Sequence, residues 1–291
     1  MIWILLLGAL YTSYLTLAAR DHGPALRGDR GPFDPRFFGR QVWLIATAGL
    51  LFGAFPALEG ELLARHAAVV TPALAGTVLV TVAIPLRRRR LAALGAALAA
   101  AGWTGLLGAL LTNSPAGIVA LAATGLALTA TQGAALRADT TNTTRYALVT
   151  LGVVAAGTAL VPIFSTVRPS APTTYAGMLL IVVLMGALAV TAAAARRCRW
   201  RLARCGIAVA LALPVAVVGL LTWPYALLPG PDGSAGETWR HTLADPATLR
   251  LLTVAALPAL PLALLAQLAG KSSRRSQVEG HSQEFGRLWL T

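Results

Sequence analysis

The sequence predicts an all-α polytopic membrane protein, and three observations support that fold class. The chain has 291 residues, of which 56% are hydrophobic and 12% charged, whereas a soluble domain carries about 45–50% apolar and about 25% charged residues. Its mean hydropathy is +0.69. Long apolar runs follow one another without the period-two alternation that is typical of a membrane β-barrel. These features exclude a soluble enzyme, a secreted disulfide scaffold and a disordered chain.

Nine apolar segments are long enough, or nearly so, to cross the roughly 30 Å hydrocarbon core of a bilayer as helices. They lie at about 2–19, 41–58, 67–86, 91–111, 117–136, 146–164, 174–195, 205–228 and 248–269. The connections between them are too short to hold a second soluble domain. We therefore expect one transmembrane helical domain over residues 1–269 and a polar, disordered cytoplasmic tail over residues 270–291.

The charge distribution predicts the orientation. Basic residues outnumber acidic ones by 24 to 11, which gives a net charge of +13. If the N-terminus is outside, twenty of the 24 basic residues fall in connections on the cytoplasmic side: 20–40, 87–90, 137–145, 196–204 and the tail 270–291. This pattern follows the positive-inside rule, so we expect a plasma-membrane protein with a cytoplasmic C-terminus.

The same distribution explains the basic composition without a nucleic-acid partner. The four consecutive arginines at 87–90 lie between two predicted spans. There they are suited to anchor the chain to anionic membrane lipid. Membrane lipid is therefore the expected partner of this basic surface.

Ionisable groups are scarce inside the predicted spans. The four histidines, His22, His66, His241 and His281, fall in predicted connections or in the tail, and no Asp or Glu falls well inside a span. Haem iron needs an axial ligand such as His, Met or Cys, so we expect no haem, no metal site and no catalytic residue in this chain. An ion pump with a buried carboxylate relay is disfavoured for the same reason.

Three polar residues are predicted to meet at the cytoplasmic membrane face. The first predicted span ends near Asp21, the second begins at Gln41, and the fifth reaches Gln132 near its end. Such a cluster could admit protons from the cytoplasm. The alternative is that these side chains only terminate helices or form interhelical hydrogen bonds.

Small residues at helical spacing favour close approach of neighbouring helices. Gly49 and Gly53 have this spacing in the second predicted span, and Gly102, Gly105 and Gly108 have it in the fourth.

One segment of the second predicted span resembles subunit II of the cytochrome bd-type quinol oxidases. That family carries the pattern W-D-G-N-(Q/E)-V-W-L followed by F-A-A-(F/W)-P. Here the segment runs without a gap from Gly39 through Val42 and Trp43 to Pro56. These four residues are the structural positions that the resemblance assigns.

Further segments are similar to the same family. Residues 131–134 read T-Q-G-A, with Gly133 at the glycine, as in the family's fifth helix. Pro224 and Pro229 resemble the F-P…P end of the eighth helix. The first helix also aligns, from residue 2 to residue 23, so the resemblance covers most of the membrane part.

The resemblance implies a nine-helix subunit with its N-terminus outside and no haem ligands of its own. Its partner in the heterodimer, subunit I, would carry haems b and d and the quinol site and reduce dioxygen to water. Protons for this reaction would come from the cytoplasm. The resemblance also implies a quinone held structurally in some members and a small accessory helix as a further partner.

The chain departs from the family pattern at the implied proton entry. The family's acidic residue in W-D-G is replaced by Phe38, and the following Asn by Arg40. Of two aspartates at the end of the family's first helix, the first is Ala18 and the second survives as Asp21. Asp21, Gln41 and Gln132 are therefore the candidates for a surviving proton path.

We expect the chain to be a haem-free, subunit II-like component of a bd-type terminal quinol oxidase. Two alternatives remain open. The first is a divergent, non-catalytic membrane paralogue that serves assembly. The second is a small-molecule transporter that uses kinked helices as half-helix sites, although no intramembrane charge or inverted repeat is evident in the sequence.

Overall fold

The computed structural model describes residues 1–28, 36–112, 114–164, 171–229 and 236–255. Helices account for 87% of these residues, so the prediction of an all-α fold is confirmed. The predicted tail and most of the ninth predicted span lie outside the described residues.

Within the described ranges, nine helices precede a short hairpin. They are α1 (Ile2–Leu26), α2 (Arg36–Ala54), α3 (Pro56–Arg65), α4 (Ala67–Ala83), α5 (Arg89–Thr112), α6 (Pro115–Leu136), α7 (Thr140–Phe164), α8 (Ala171–Arg196) and α9 (Trp200–Thr222). Strand β1 (Tyr225–Leu227) then pairs antiparallel with β2 (Glu237–Thr238), which leads into the single-turn helix α10 (Trp239–Thr242). Residues 246–255 are again helical.

Six helices of the described chain are long and apolar enough to cross a membrane: α1, α2, α5, α6, α8 and α9. The count is seven if α3 and α4 form one span, since the two are bent by 96° at a short break. These helices make the chain an all-α membrane protein. With 17 residues, α4 is too short to be counted by itself as a span. Helix α7 is not among the six either.

Several predicted helix ends differ from the structure. The eighth predicted span ends at residue 228, but α9 ends at Thr222, and strand β1 follows it. Helix α1 continues to Leu26, well past the predicted end at residue 19. Helix α2 ends at Ala54, and Pro56 occupies the first turn of α3, where its missing N–H costs no hydrogen bond. Phe55 between them has φ −136° and ψ 56°, because the residue before a proline is disfavoured in the helical region.

The core is centred on Trp103 in α5. The rings of Tyr11 and Tyr14 from α1 meet this indole edge to face, with centroids 6.3 and 6.0 Å away. Trp103 Nε1 donates to Thr77 Oγ1 in α4 over 2.9 Å, and the Tyr11 hydroxyl donates to the Trp103 carbonyl over 2.5 Å. These contacts fix α1, α4 and α5 to one another in the apolar interior.

The predicted glycine contacts are confirmed in α5. A Cβ at Gly102 would lie 2.6 Å from the Cα of Ala73 in α4, and one at Gly108 would collide with the backbone of Gly117 in α6. Because both positions lack a side chain, α5 packs closely against both neighbours. Gly49, by contrast, has no described atom within 4 Å of such a Cβ, whereas a Cβ at Gly53 would lie 3.0 Å from the side chain of Leu252. The spacing in α2 therefore brings no second helix backbone close to both glycines within the described residues.

Three connections share one turn geometry, in which a non-glycine residue has a positive φ. These residues are Arg87, Ala138 and Cys198, with φ of 55°, 57° and 54°. In each turn the amide of the following residue donates to a carbonyl five residues earlier, over 2.8–3.1 Å (Arg88 to Ala83, Asp139 to Ala134, Arg199 to Ala194). This is the hydrogen bond of the Schellman motif, which closes a helix C-terminus and reverses the chain.

Arginine side chains near these turns donate hydrogen bonds to backbone carbonyls of neighbouring helix ends, all at one end of the bundle. Arg89 Nε donates to the carbonyl of Gly28, just past α1, over 2.6 Å. Arg204 of α9 donates to the carbonyls of Ala135 and Leu136 at the end of α6, over 3.2 and 3.3 Å. We call this end, formed by residues 20–28, 36–41, 83–90, 132–142 and 196–204, the arginine end.

Candidate functional site

The candidate site lies at the arginine end, where α1 crosses α6 at two glycines. A Cβ at Gly23 would lie 2.6 Å from the amide nitrogen of Gly133 and 2.6 Å from the carbonyl oxygen of Thr129. A Cβ at Gly133 would collide with the carbonyl group of Gly23. The two backbones therefore touch directly, and the T-Q-G-A segment is held against the end of α1.

Asp21 lies in the last turns of α1 and forms an ion pair with Arg40 of α2. Their side chains are 11% and 14% exposed, respectively. The pair joins α1 to α2 across the 29–35 connection and leaves little net charge at this place. The sequence predicts Asp21 at the cytoplasmic membrane face, but no sequence pattern identifies Arg40 as its partner.

The two predicted glutamines carry polar atoms that lack partners among the described residues. Gln132 is 5% exposed, and its Oε1 is buried without a hydrogen bond. Both side-chain polar atoms of Gln41 are likewise buried without a partner. A buried amide without a partner costs about 1–3 kcal/mol, so such groups are expected to be satisfied by water or by another molecule.

The three predicted polar residues are thus gathered at one end by two connections. Asp21 is joined to α2, which carries Gln41, through the ion pair with Arg40. Gln132 immediately precedes Gly133, which packs on Gly23. The structure therefore brings together the helix segments on which all three residues lie.

The prediction that all four histidines lie in connections or the tail is wrong for His22. It lies inside α1, is 2% exposed, and its Nε2 has no partner among the described residues. The apolar run ends before it, so hydropathy alone placed it outside the helix. His66, between α3 and α4, is also buried, at 7% exposure.

A second ion pair lies beside the site and was not predicted. Arg27 Nη2 donates to Asp139 Oδ2 over 2.6 Å. The same carboxylate accepts from the side chain of Asn142 over 2.7 Å and from its backbone amide over 3.0 Å. These hydrogen bonds from Asn142, together with Arg27, lower the pKa of Asp139 from 3.8 to about 2. The pair links the end of α1 to the start of α7.

The residues of the family-like segment in α2 and α3 have mixed environments. Trp43 is buried at 8% exposure, whereas Val42 is 44% exposed, and a Cβ built at Gly39 would meet no described atom within 4 Å. Pro56 begins α3. Phe38, which stands at the family's acidic position, is 51% exposed.

Towards the opposite end of the bundle lies an apolar cavity of about 250 Å³ between α1, α2, α4, α5 and α9. Its lining residues include Leu44, Leu107, Val218 and Trp239, and none of them is charged. Trp239 Nε1 is buried without a hydrogen-bond partner among the described residues. The cavity is thus suited to an apolar chain that bears a hydrogen-bond acceptor.

Pro224 follows α9 and ends the wall of this cavity. The peptide bond before it is cis, and its carbonyl accepts from the Trp239 amide over 3.3 Å. Residue Ala226 of β1 also lines the cavity. The family-like proline therefore lies in the hairpin that closes this side of the bundle.

No cluster of three or more His, Cys, Asp or Glu side chains occurs within the described ranges. Comparison with protein-family models and with curated proteins finds no match for this chain.

Proposed function

We propose that this chain is a divergent, haem-free subunit II-like component of a bd-type terminal quinol oxidase. The observation that carries the proposal is the contact between Gly23 and Gly133. The segments around these two glycines resemble the family at separate places in the sequence, and they pack directly on each other. A functional site formed by both segments would require the end of α1 and the T-Q-G-A segment of α6 to lie this close together.

The proposed topology has nine spans, with the arginine end in the cytoplasm and the N-terminus outside. It is supported by the basic turns at 87–90 and 196–199, which lie on the same end of the bundle. In this topology α3 and α4 together form one span, α7 forms another, and the helix that begins at residue 246 forms the ninth. The proposed location is the plasma membrane. The positive-inside rule supports basic turns on the cytoplasmic side, where they would lie against anionic lipid.

The proposed role of the arginine end is to admit protons through Asp21, Gln41 and Gln132. Protons need a chain of hydrogen-bonding groups or water to cross an apolar region. The buried amide atoms of Gln41 and Gln132 form no hydrogen bond to the part of the chain that the structure describes, which supports hydration at this place. The pairing of Asp21 with Arg40 supports a structural role for that carboxylate as well.

The proposed partner is a subunit I that binds haems b and d and carries out the redox chemistry. A small accessory helix is proposed as a further component of the complex. A structural quinone is proposed for the apolar cavity. The uncharged wall fits an isoprenoid chain, and the Trp239 indole N–H is a donor suited to a quinone carbonyl. There the quinone would supply apolar packing between helices, and the residues of this chain would only bind and orient it.

One observation favours the transporter as a second candidate. Helices α3 and α4 are bent by 96° near the buried His66, and broken helices are a feature of transporter binding sites. The assembly paralogue would keep the same fold without proton uptake.

The test is co-expression of this chain with a bd-type oxidase subunit I, followed by purification through a tag on this chain and an absorption spectrum. We expect b- and d-type haem bands in a stable complex. A haem-free, stable monomer that moves a solute in liposomes would contradict the oxidase proposal. A complex with haems but without oxygen consumption would favour the assembly paralogue.

A further inference from the structure

A small cavity beside His22 has no role in the function proposed above. This cavity, which we call the slot, has a volume of about 20 Å³ and lies between α1, α5, α6 and α9. Its α1 wall runs from Tyr14 to His22 along one helix face. A cavity needs roughly 10–15 Å³ to hold one water molecule, so the slot is large enough for one.

His22 gives the slot a polar group in need of a partner. The side chain is 2% exposed, and its Nε2 forms no hydrogen bond with any described residue. Both ring nitrogens of a buried imidazole require partners, whether as donor or as acceptor. Leaving one unpaired in the interior is unfavourable, and a hydrogen bond from a water in the slot removes this cost.

Other polar groups of the slot complete the coordination that a buried water requires. Thr104 Oγ1 donates to the Ala100 carbonyl over 2.6 Å, which leaves its lone pairs available. Thr129 is 4% exposed and lines the slot from α6. Pro214 lines it from α9 and has no N–H for the carbonyl of Ala210 one turn earlier. A buried water forms two to four hydrogen bonds, and these groups can supply them.

None of the described side chains that line the slot carries a formal charge at neutral pH. Tyr14 is the other titratable side chain among its lining residues, while the lining residues from α5, α6 and α9 are uncharged. Asp21, next to His22 in α1, is neutralised by Arg40. Burial without a counter-charge favours the neutral imidazole, and this ring is the described lining group that an excess proton would protonate most readily.

We propose that the slot is a water-binding site and that His22 exchanges protons with the water it holds. An excess proton on that water passes to the ring, which becomes imidazolium, and returns through the same hydrogen bond. The water-binding part stands on the geometry of the slot alone. The destination of the proton rests on the proposed oxidase function.

The water is tested by solid-state NMR of the protein in lipid bilayers, with ¹⁵N-labelled histidine. His22→Gln identifies the His22 ring signals among those of the four histidines. We expect magnetisation transfer from water to the His22 ring. Thr129→Val, which removes one partner of the water, should weaken it at least twofold, whereas Thr158→Val in α7 should leave it unchanged. A His22 ring that receives nothing from water, while His241 does, overturns the proposal.

The proton role is tested in the complex with subunit I. We expect His22→Gln to lower oxygen consumption at least threefold, with the haem spectrum unchanged. Haems that co-purify together with unchanged oxygen consumption overturn the relay role of His22. Failure of haems to co-purify refutes the oxidase proposal instead, and the NMR result on the slot is unaffected by it.

Discussion

Gly23 and Gly133 touch backbone to backbone where α1 crosses α6. This contact brings the end of α1, with its ion pair to α2, against the T-Q-G-A segment. Because neither residue has a side chain, the two helices approach more closely here than any other residue type would permit. The packing of α1 against α6 at the arginine end therefore depends on glycine at both positions.

Gly133→Ala should destabilise the protein by about 1–3 kcal/mol, because the new methyl group collides with the Gly23 carbonyl group and forces α1 and α6 apart. Thermal unfolding of the purified protein in detergent measures the effect. Gly152→Ala in α7 is the matched control, since no atom lies within 4 Å of its Cβ. The control should be stabilised by about 0.5–1 kcal/mol, and equal shifts of both variants would refute the close crossing.

The ion pair between Asp21 and Arg40 should appear as a strong coupling in a double-mutant cycle. Each single variant, Asp21→Asn or Arg40→Gln, removes one charge of this part-buried pair, and the loss of that ionic partner costs about 1–3 kcal/mol. The double variant should be more stable than either single one. Unfolding free energies in detergent provide the four corners of the cycle, and additive effects would show that the two side chains do not interact.

Ala138→Gly should stabilise the protein by about 0.5–1 kcal/mol. Ala138 has φ 57°, a conformation that costs a residue with a Cβ about 1–2 kcal/mol and costs glycine far less. Part of this gain is offset by the greater freedom of glycine in the unfolded chain. Ala135→Gly, inside α6, should instead destabilise by about 1 kcal/mol. The difference in melting temperature between the two variants is the measurement.

The end of α1 shows how far hydropathy predicts this fold. Hydropathy reports the transfer of a segment to lipid, so it located the helices but ended the first at residue 19. The helix continues to Leu26 because Asp21 is neutralised by Arg40 and His22 is enclosed by three other helices. Arg40 and the three enclosing helices are distant in sequence from the end of α1, so no local sequence pattern reveals these contacts.

Backbone rules would have corrected another boundary. The residue before a proline avoids the helical region, and proline favours the first turn of a helix. Applied to Phe55 and Pro56, these rules separate α2 from α3, whereas the apolar run across them favoured one continuous span. The candidate site shows the same limit: Gln132 and Asp21 were found from their polarity, but the Gly23 contact depends on how α1 and α6 cross.

Asp139 should contribute to stability in a pH-dependent way. Its pKa is lowered from 3.8 to about 2 by Asn142 and Arg27, so the contribution is present above about pH 3.8 and disappears as the pH falls through about 2. Asp139→Asn should therefore lower the melting temperature near neutral pH and match the wild type near pH 2. The loss should be below about 1 kcal/mol, since the pair is partly exposed to solvent. A difference that stays constant with pH would exclude the carboxylate charge as its cause.

The proton path gives the most direct functional prediction, provided that the complex with subunit I assembles. Gln132→Leu keeps the size of the side chain close to that of the glutamine but removes the amide, whose Oε1 has no partner among the described residues. If this amide holds water on the path, proton uptake and oxygen consumption should fall at least threefold while the haem spectrum stays unchanged. Asp21→Asn, compared in the same assay, separates the path from the ion pair: a path residue lowers proton uptake, whereas a purely structural one lowers only the melting temperature. Unaltered proton uptake and oxygen consumption in both variants would place any proton route elsewhere in the complex.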